Sequence, residues 1–284
     1  MLPRSPSRAA TREPSAAKVP EITAVFWLIK VLTTGMGEAT SDYLGRLSLA
    51  LAGAVGVLGF VVALGVQFRT RRYVAPAYWF AVAMVAVFGT MAADGVHVVL
   101  GVPYPVLTAG YSVLLTVVLL VWHRSEGTLS IHSIVTRRRE TCYWLTVLIT
   151  FALGTAAGDL TAMSLHLGFL ASALLFAAAI ALPALAWWRW GLNGTLAFWI
   201  AYVLTRPLGA SLADWLGKPP SVGGGVGWGD GVVSAGATVL ILVLVGAVTI
   251  SRNDVQRAED AAPVRRDGTV PAGDEGLRQP DVEP

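Results

Sequence analysis

The sequence predicts an all-α, polytopic membrane protein of eight transmembrane helices, built as four repeated two-helix hairpins with both termini in the cytoplasm. Apolar composition, recurring apolar windows and an ungapped internal repeat predict it. Of 284 residues, 55% are hydrophobic and 14% charged, with a mean hydropathy of +0.62; an ordinary soluble domain carries roughly 25% charge. Windows of about 20 apolar residues, enough to cross hydrocarbon as a helix, recur from residue 22 to residue 250.

The expected spans are 22–45, 48–67, 76–99, 104–122, 142–165, 168–188, 196–216 and 231–250. Residues 1–19, MLPRSPSRAATREPSAAKV, are basic and rich in Ser, Pro and Ala, without the apolar core of a cleaved signal peptide. They read as a disordered cytoplasmic tail. Residues 251–284 hold eight acidic and five basic residues and too few large apolar side chains to offset ordering entropy. They read as a second such tail, leaving 20–250 as the membrane domain with repeats at about 22–67, 76–122, 142–188 and 196–250.

Connections after even-numbered spans read RTRRY, HRSEG with TRRRE, and WWRWG, whereas those after odd-numbered spans hold only Arg46 and Lys218. This asymmetry places the arginine-rich side in the cytoplasm and predicts a multi-pass protein of the cell membrane. The formal charge of +3 is thereby explained by topology, with the lipid bilayer as partner and no nucleic acid. A single cysteine, Cys142, excludes an intramolecular disulfide and a thiolate metal cluster within one chain.

The odd-numbered spans align without gaps as FWLIKVLTTGMGEATSD, YWFAVAMVAVFGTMAAD, YWLTVLITFALGTAAGD and FWIAYVLTRPLGASLAD. Each has an aromatic-Trp pair, Gly ten residues after the Trp and Asp five residues after that Gly. Trp27, Gly37 and Asp42 thus correspond to Trp79, Gly89 and Asp94, to Trp144, Gly154 and Asp159, and to Trp199, Gly209 and Asp214. Units that cross twice enter from one side, so the repeats are parallel and the four aspartates share one depth. Fifteen residues of helix span about 22 Å, which puts the Trp near the cytoplasmic boundary and the Asp near the outer one.

The Trp pairs are expected to form an interfacial belt, and the glycines to allow close helix packing. An aspartate within a span costs about 2.5–3.5 kcal/mol on insertion scales and normally faces the bundle interior or water. Two readings stand open: four separate caps at the outer interface, or one shared cation or proton site. Residues four apart share a helix face, so Thr34, Glu38 and Asp42 form a stripe, as do Thr90, Asp94 and His97, and Thr155 with Asp159. Lys218 lies one turn beyond Asp214.

Glu38, Asp42, Asp94, Asp159 and Asp214 are therefore the candidate metal ligands, with His97 and His166 as additions. Oxygen donors suit magnesium, calcium or manganese, and imidazole shifts the preference toward later transition metals. Glu38 has no counterpart, since Thr90, Thr155 and Ala210 occupy its register position. Lys30 is expected to snorkel to the cytoplasmic surface, Arg206 to neutralise a carboxylate, Asp230 to cap the last span, and the Gly-rich stretch GKPPSVGGGVGWGDGVVS to serve as a flexible linker.

The segment KVPEITAVFWLIKVLTTGMGEATSDYL resembles the opening of a family of uncharacterised prokaryotic integral membrane proteins, often described as membrane-anchored proteins. The shared features are KVPE, a GE pair in the first span and repeated Gly/Asp-containing spans. The resemblance covers residues 18 to about 250 and implies no activity, substrate or catalytic residue.

The sequence holds no serine-hydrolase elbow, phosphate-binding Gly loop or zinc-protease His pair, and no intramembrane aspartyl-protease pair with its usual flanks. No enzyme, catalytic residue or cofactor is expected. The first functional expectation is a small cation transporter or channel, for a divalent metal or coupled to protons, with the cation as substrate. The alternative is a membrane-anchored accessory or interaction protein whose repeat is architectural and whose tails recruit a partner.

Overall fold

A computed structural model describes residues 17–255. It contains eight long helices: α1 Ala24–Leu47, α2 Leu49–Arg69, α3 Ala75–Leu100, α4 Tyr104–Glu126, α5 Arg137–Asp159, α6 Phe169–Trp190, α7 Gly194–Gly217 and α8 Asp230–Ser251. Among the described residues there is no strand. The Thr23 side chain accepts from Phe26 N to start α1, Thr136 accepts from Arg139 N at α5, and Asn193 caps α7, each occupying a freed backbone donor. Pro76 and Pro105 lie in the first turns of α3 and α4, where the missing N–H costs nothing.

Seven of these helices are long and apolar enough to cross a membrane, which points to a multi-pass membrane protein. The exception is α1, whose apolar run is interrupted by Lys30, Glu38, Asp42 and Arg46. α5 begins five residues before the expected span, and its end continues as a π-helical turn over Leu160–Ser164.

The odd-numbered helices form a closed inner ring in which α1 packs on α3, α3 on α5, α5 on α7 and α7 on α1. The even-numbered helices lie outside. Each packs more extensively on the first helix of the following unit than on its own hairpin partner: α2 on α3, α4 on α5, α6 on α7, and α8 on α1. Their outward faces expose Leu58, Val61, Val113, Val121, Leu174, Leu182, Leu242 and Val243, an apolar surface suited to lipid.

The motif glycines set the ring. A Cβ added at Gly37 would lie 2.5 Å from Ala86 Cβ, at Gly89 2.7 Å from Phe151 Cβ, at Gly154 2.5 Å from Arg206 Cβ, and at Gly209 2.8 Å from Thr34 Cβ. In every case the glycine is ten residues after its Trp, and the residue it meets is seven after the Trp of the next helix. One packing contact is therefore repeated four times around the ring. Small residues in this role let helix backbones approach in a bundle.

Several expectations are corrected here. Trp79, Trp144 and Trp199 do not face outward as a belt but are 2–4% exposed. Their rings interlock with Phe26, Tyr78, Tyr143 and Phe198 inside the bundle, where aromatic edges and faces pair favourably. Lys30 does not snorkel, since its stem points into the ring and it is 1% exposed. Asp230 is not the cap of α8: Gly229 holds that position without a side-chain bond, and Asp230 forms an ion pair with Arg46.

The Gly-rich stretch is folded back rather than a free linker. Val226 N donates to Trp215 O at 2.6 Å, Trp228 N to Leu216 O at 2.9 Å, and Phe169 N to Gly223 O at 2.9 Å. Gly225 is required because a Cβ there would collide with the Lys218 carbonyl.

The tail expected over 1–19 is ordered at its end. Lys18 is buried and its Nζ lies 2.6 Å from Glu140 Oε2, while Ala17 O accepts from Tyr73 N. At the other end Asp254 is also buried and accepts from the Tyr73 hydroxyl. Residues 1–16 and 256–284 of the two expected tails lie outside the described residues.

Candidate functional site

The repeat register stacks the ring into layers. One residue before each Trp stand Phe26, Tyr78, Tyr143 and Phe198; three after, Lys30, Val82, Val147 and Tyr202; seven after, Thr34, Ala86, Phe151 and Arg206; eleven after, Glu38, Thr90, Thr155 and Ala210. All sixteen are at most 8% exposed. The fifth layer holds Asp42, Asp94, Asp159 and Asp214, and there the ring opens.

All four aspartates and Glu38 line one cavity of about 660 Å³. The converging arrangement is thus the observed one, and four separate caps are not. Glu38, Asp42 and Asp94 each offer an oxygen within 4.8 Å of the other two. Apolar and aromatic side chains such as Met91, Tyr104 and Phe169 complete the wall. The lining side chains carry five carboxylates against Arg46 and Lys218, a formal excess of three negative charges that would concentrate cations.

The floor of the cavity is a buried ion pair. Arg206 Nη2 donates to Glu38 Oε2 at 2.8 Å and to Thr155 Oγ1 at 2.8 Å, and also meets Thr90 Oγ1. Arg206 Nη1 donates to Thr34 O at 2.9 Å, and the guanidinium lies 5.1 Å from the Phe151 ring centroid. Thr90 and Thr155 each reach Glu38 Oε2 at 3.4 Å. Residues from all four inner helices therefore meet at one salt bridge. Such a pair offsets its desolvation only when its remaining donors and acceptors are satisfied; the two threonines and the Thr34 carbonyl engage the Nη donors, while Arg206 Nε is left without a hydrogen-bond partner.

At the mouth, Lys218 pairs with Asp42 and lies 3.8 Å from Asp214 and 3.6 Å from Asp230. Burial alone would lower the Lys218 pKa, but Asp42 and Asp214 outweigh it and leave it raised. The amine is consequently charged at neutral pH, and its contribution to stability is lost only as pH rises above the ordinary lysine range. Among the described residues, Asp94 and Asp159 form no ion pair, which makes them the two cavity carboxylates without a basic partner.

The histidines are placed elsewhere. His97 Nδ1 bonds to Val102 O at 2.8 Å and its ring stacks on Tyr104. His166, at a φ of 56°, lines a separate cavity beside Gly168 and Gly223. Neither is among the lining residues of the aspartate cavity.

The role of Arg206 as partner of Glu38 was not assigned from sequence. The signal was present in the register: seven after Trp199 and eleven after Trp27 are both axial positions, one turn apart.

A family described as Repeat of Unknown Function (DUF347) matches four times, at residues 25–73, 77–128, 142–191 and 197–254. These matches coincide with the four hairpins. Comparisons with curated proteins and with solved structures returned no match.

Proposed function

The chain belongs to this repeat family, and from that premise we propose that it is a cation transporter whose binding site is the cavity lined by Asp42, Asp94, Asp159, Asp214 and Glu38. One observation carries the reading: four separate helices bring their register aspartates to the wall of a single cavity of about 660 Å³ above a sealed axis. A purely architectural repeat has no need of four carboxylates around one cavity, each of which is costly within a span.

The sealed axis favours a transporter over an open channel. Beneath the cavity, the Arg206–Glu38 pair, Phe151 and the aromatic layers leave every axial side chain buried. The cation is the substrate, and hard divalent ions suit the oxygen donor set. Binding would draw Asp42 from Lys218 and Glu38 from Arg206, so occupancy and the state of the floor are linked.

We place α1 as an eighth span and both termini in the cytoplasm of a cell with this protein in its cell membrane. Support comes from the basic residues: Arg69, Arg71, Arg72, Arg124 and Arg137 to Arg139 lie at the Trp end, whereas Arg46 and Lys218 at the Asp end are both engaged by carboxylates.

The test is flux in liposomes containing the full chain, with Mn²⁺, Mg²⁺ or Ca²⁺ outside and an indicator dye inside. Wild type should admit at least one of these ions, and replacement of all four aspartates by Asn should abolish that flux. Deletion of residues 1–16 and 256–284 should leave it intact. Absence of flux for all three ions, or flux indifferent to the aspartates, overturns the proposal; loss of a cellular function on tail deletion alone would favour an accessory protein.

A further inference from the structure

Beyond the aspartate layer the fourfold repeat divides into two sides. Four residues after each register Asp stand Arg46, Val98, Met163 and Lys218, and all four line the cavity. The side formed by α3 and α5 is therefore apolar next to Asp94 and Asp159, whereas the side formed by α1 and α7 carries a base next to Asp42 and next to Asp214.

Lys218 stands at a branch point between three carboxylates. Its Nζ contacts Asp42 and lies 3.8 Å from Asp214 Oδ1 and 3.6 Å from Asp230 Oδ2. Asp42 and Asp214 line the cavity, and Asp230 does not. Asp230 is 1% exposed, and apart from its ion pair with Arg46 neither of its carboxylate oxygens has a hydrogen-bond partner. A buried carboxylate with unmet acceptors is costly, so it offers a strong alternative to the ammonium. Moving Nζ by about 1 Å would close that gap to the ~2.8 Å of a charge-assisted hydrogen bond.

The fold holds both ends of this step in place. Lys218 is the C-cap of α7, its backbone N–H bonded to Asp214 O, where the negative end of the helix dipole favours a cation. Gly229 N donates to Gly217 O at 3.1 Å, which fixes the start of α8 against the end of α7. A Cβ on Gly217 would collide with Asp230 Oδ1, so the glycine is what lets Asp230 lie beside Lys218.

We propose that Lys218 is a tethered cation of the aspartate cavity: it neutralises Asp42 and Asp214 in the absence of substrate, steps to Asp230 when an ion enters, and thereby selects divalent over monovalent cations. This deepens the cation-transport reading and rests on it. An ammonium attached to the chain competes as an intramolecular partner, at an effective concentration of about millimolar or higher. A monovalent ion brings the same single charge and gains nothing by displacing it. A divalent ion doubles the Coulomb attraction to the same carboxylates, and the displaced ammonium exchanges Asp42 for Asp230, so its charge stays paired. No bond is broken and no proton moves in this step.

The experiment is titration calorimetry of the detergent-purified full chain with Mn²⁺, Mg²⁺ and Ca²⁺, in sodium chloride and in N-methylglucamine chloride of equal ionic strength, which holds screening constant. The proteins are wild type, K218M, D230N and D230N/K218M, with K218Q covering the case in which K218M fails to fold. In N-methylglucamine, K218M should bind a divalent ion at least tenfold tighter than wild type. Sodium should weaken binding at least tenfold in K218M and leave wild type unchanged. D230N should weaken binding at least tenfold beside Lys218 but less than threefold in the K218M background, a difference that separates the lysine step from the release of Arg46. Wild-type binding with K218M no tighter, sodium competing equally in both, or D230N acting equally in both backgrounds overturns the role of Lys218 and leaves the cation site standing. No binding of any of the three ions to wild type is instead the failure of the cation reading, and this proposal falls with it.

Discussion

The two ends of the inner ring share one register yet differ in content. At the Trp end four aromatic residues close the axis, two with hydroxyls. At the Asp end four identical carboxylates open it into a cavity. Between them fourfold repetition breaks down, and Lys30, Arg206 and Glu38 each occur in one helix alone. The comparison teaches that packing geometry is carried by repeated residues, while the charged chemistry along the axis comes from single departures placed on positions the repeat had already made axial.

Breaking the central departure should have the largest effect. Glu38→Gln or Arg206→Met leaves a buried partner uncompensated, at about 3–5 kcal/mol, read as lost thermal stability in detergent. The double variant E38L/R206M should recover most of that loss. A double variant as unstable as the two singles combined would show that the residues act independently.

The repeated contact should come next. Gly154→Ala drives a methyl into Arg206 and should cost about 1–3 kcal/mol by overpacking. Gly45→Ala, with open space around it, should stay within about 0.5 kcal/mol of wild type. Equal effects in thermal unfolding would remove the packing role of the motif glycine.

The smallest stability changes separate the aspartates. Asp42→Asn loses the contact to Lys218, whose side chain is 20% exposed, and should cost about 1 kcal/mol. Asp94→Asn and Asp159→Asn break no ion pair and should be neutral in thermal unfolding, yet weaken cation binding more than Asp42→Asn does. The opposite order would place the site at Lys218 and not on the open side of the cavity.

Much of this architecture was legible in the sequence. Helix positions followed apolar windows, and the Trp, Gly and Asp spacing located the repeat that the family matches confirm. What escaped was lateral: a linear register gives depth but not azimuth, so Lys30 read as a snorkelling residue and the Trp residues as a belt. Only the ring geometry shows that three, seven and eleven residues after each Trp face the axis, which brings Arg206 to Glu38 and Lys30 to two aromatic faces. Asp230 and the Gly-rich stretch were misread for a related reason, because Arg46, which pairs with Asp230, and Phe169, which donates to Gly223 O, are both distant in sequence.

The central claim is that four register aspartates form one cation site. Titration calorimetry of the purified full chain with Mn²⁺, Mg²⁺ and Ca²⁺ tests it most directly. The account predicts saturable binding of at least one of these ions, weakened at least tenfold in D94N/D159N while thermal stability without metal is unchanged. No saturable binding to wild type, or equal affinity in the variant, would contradict it.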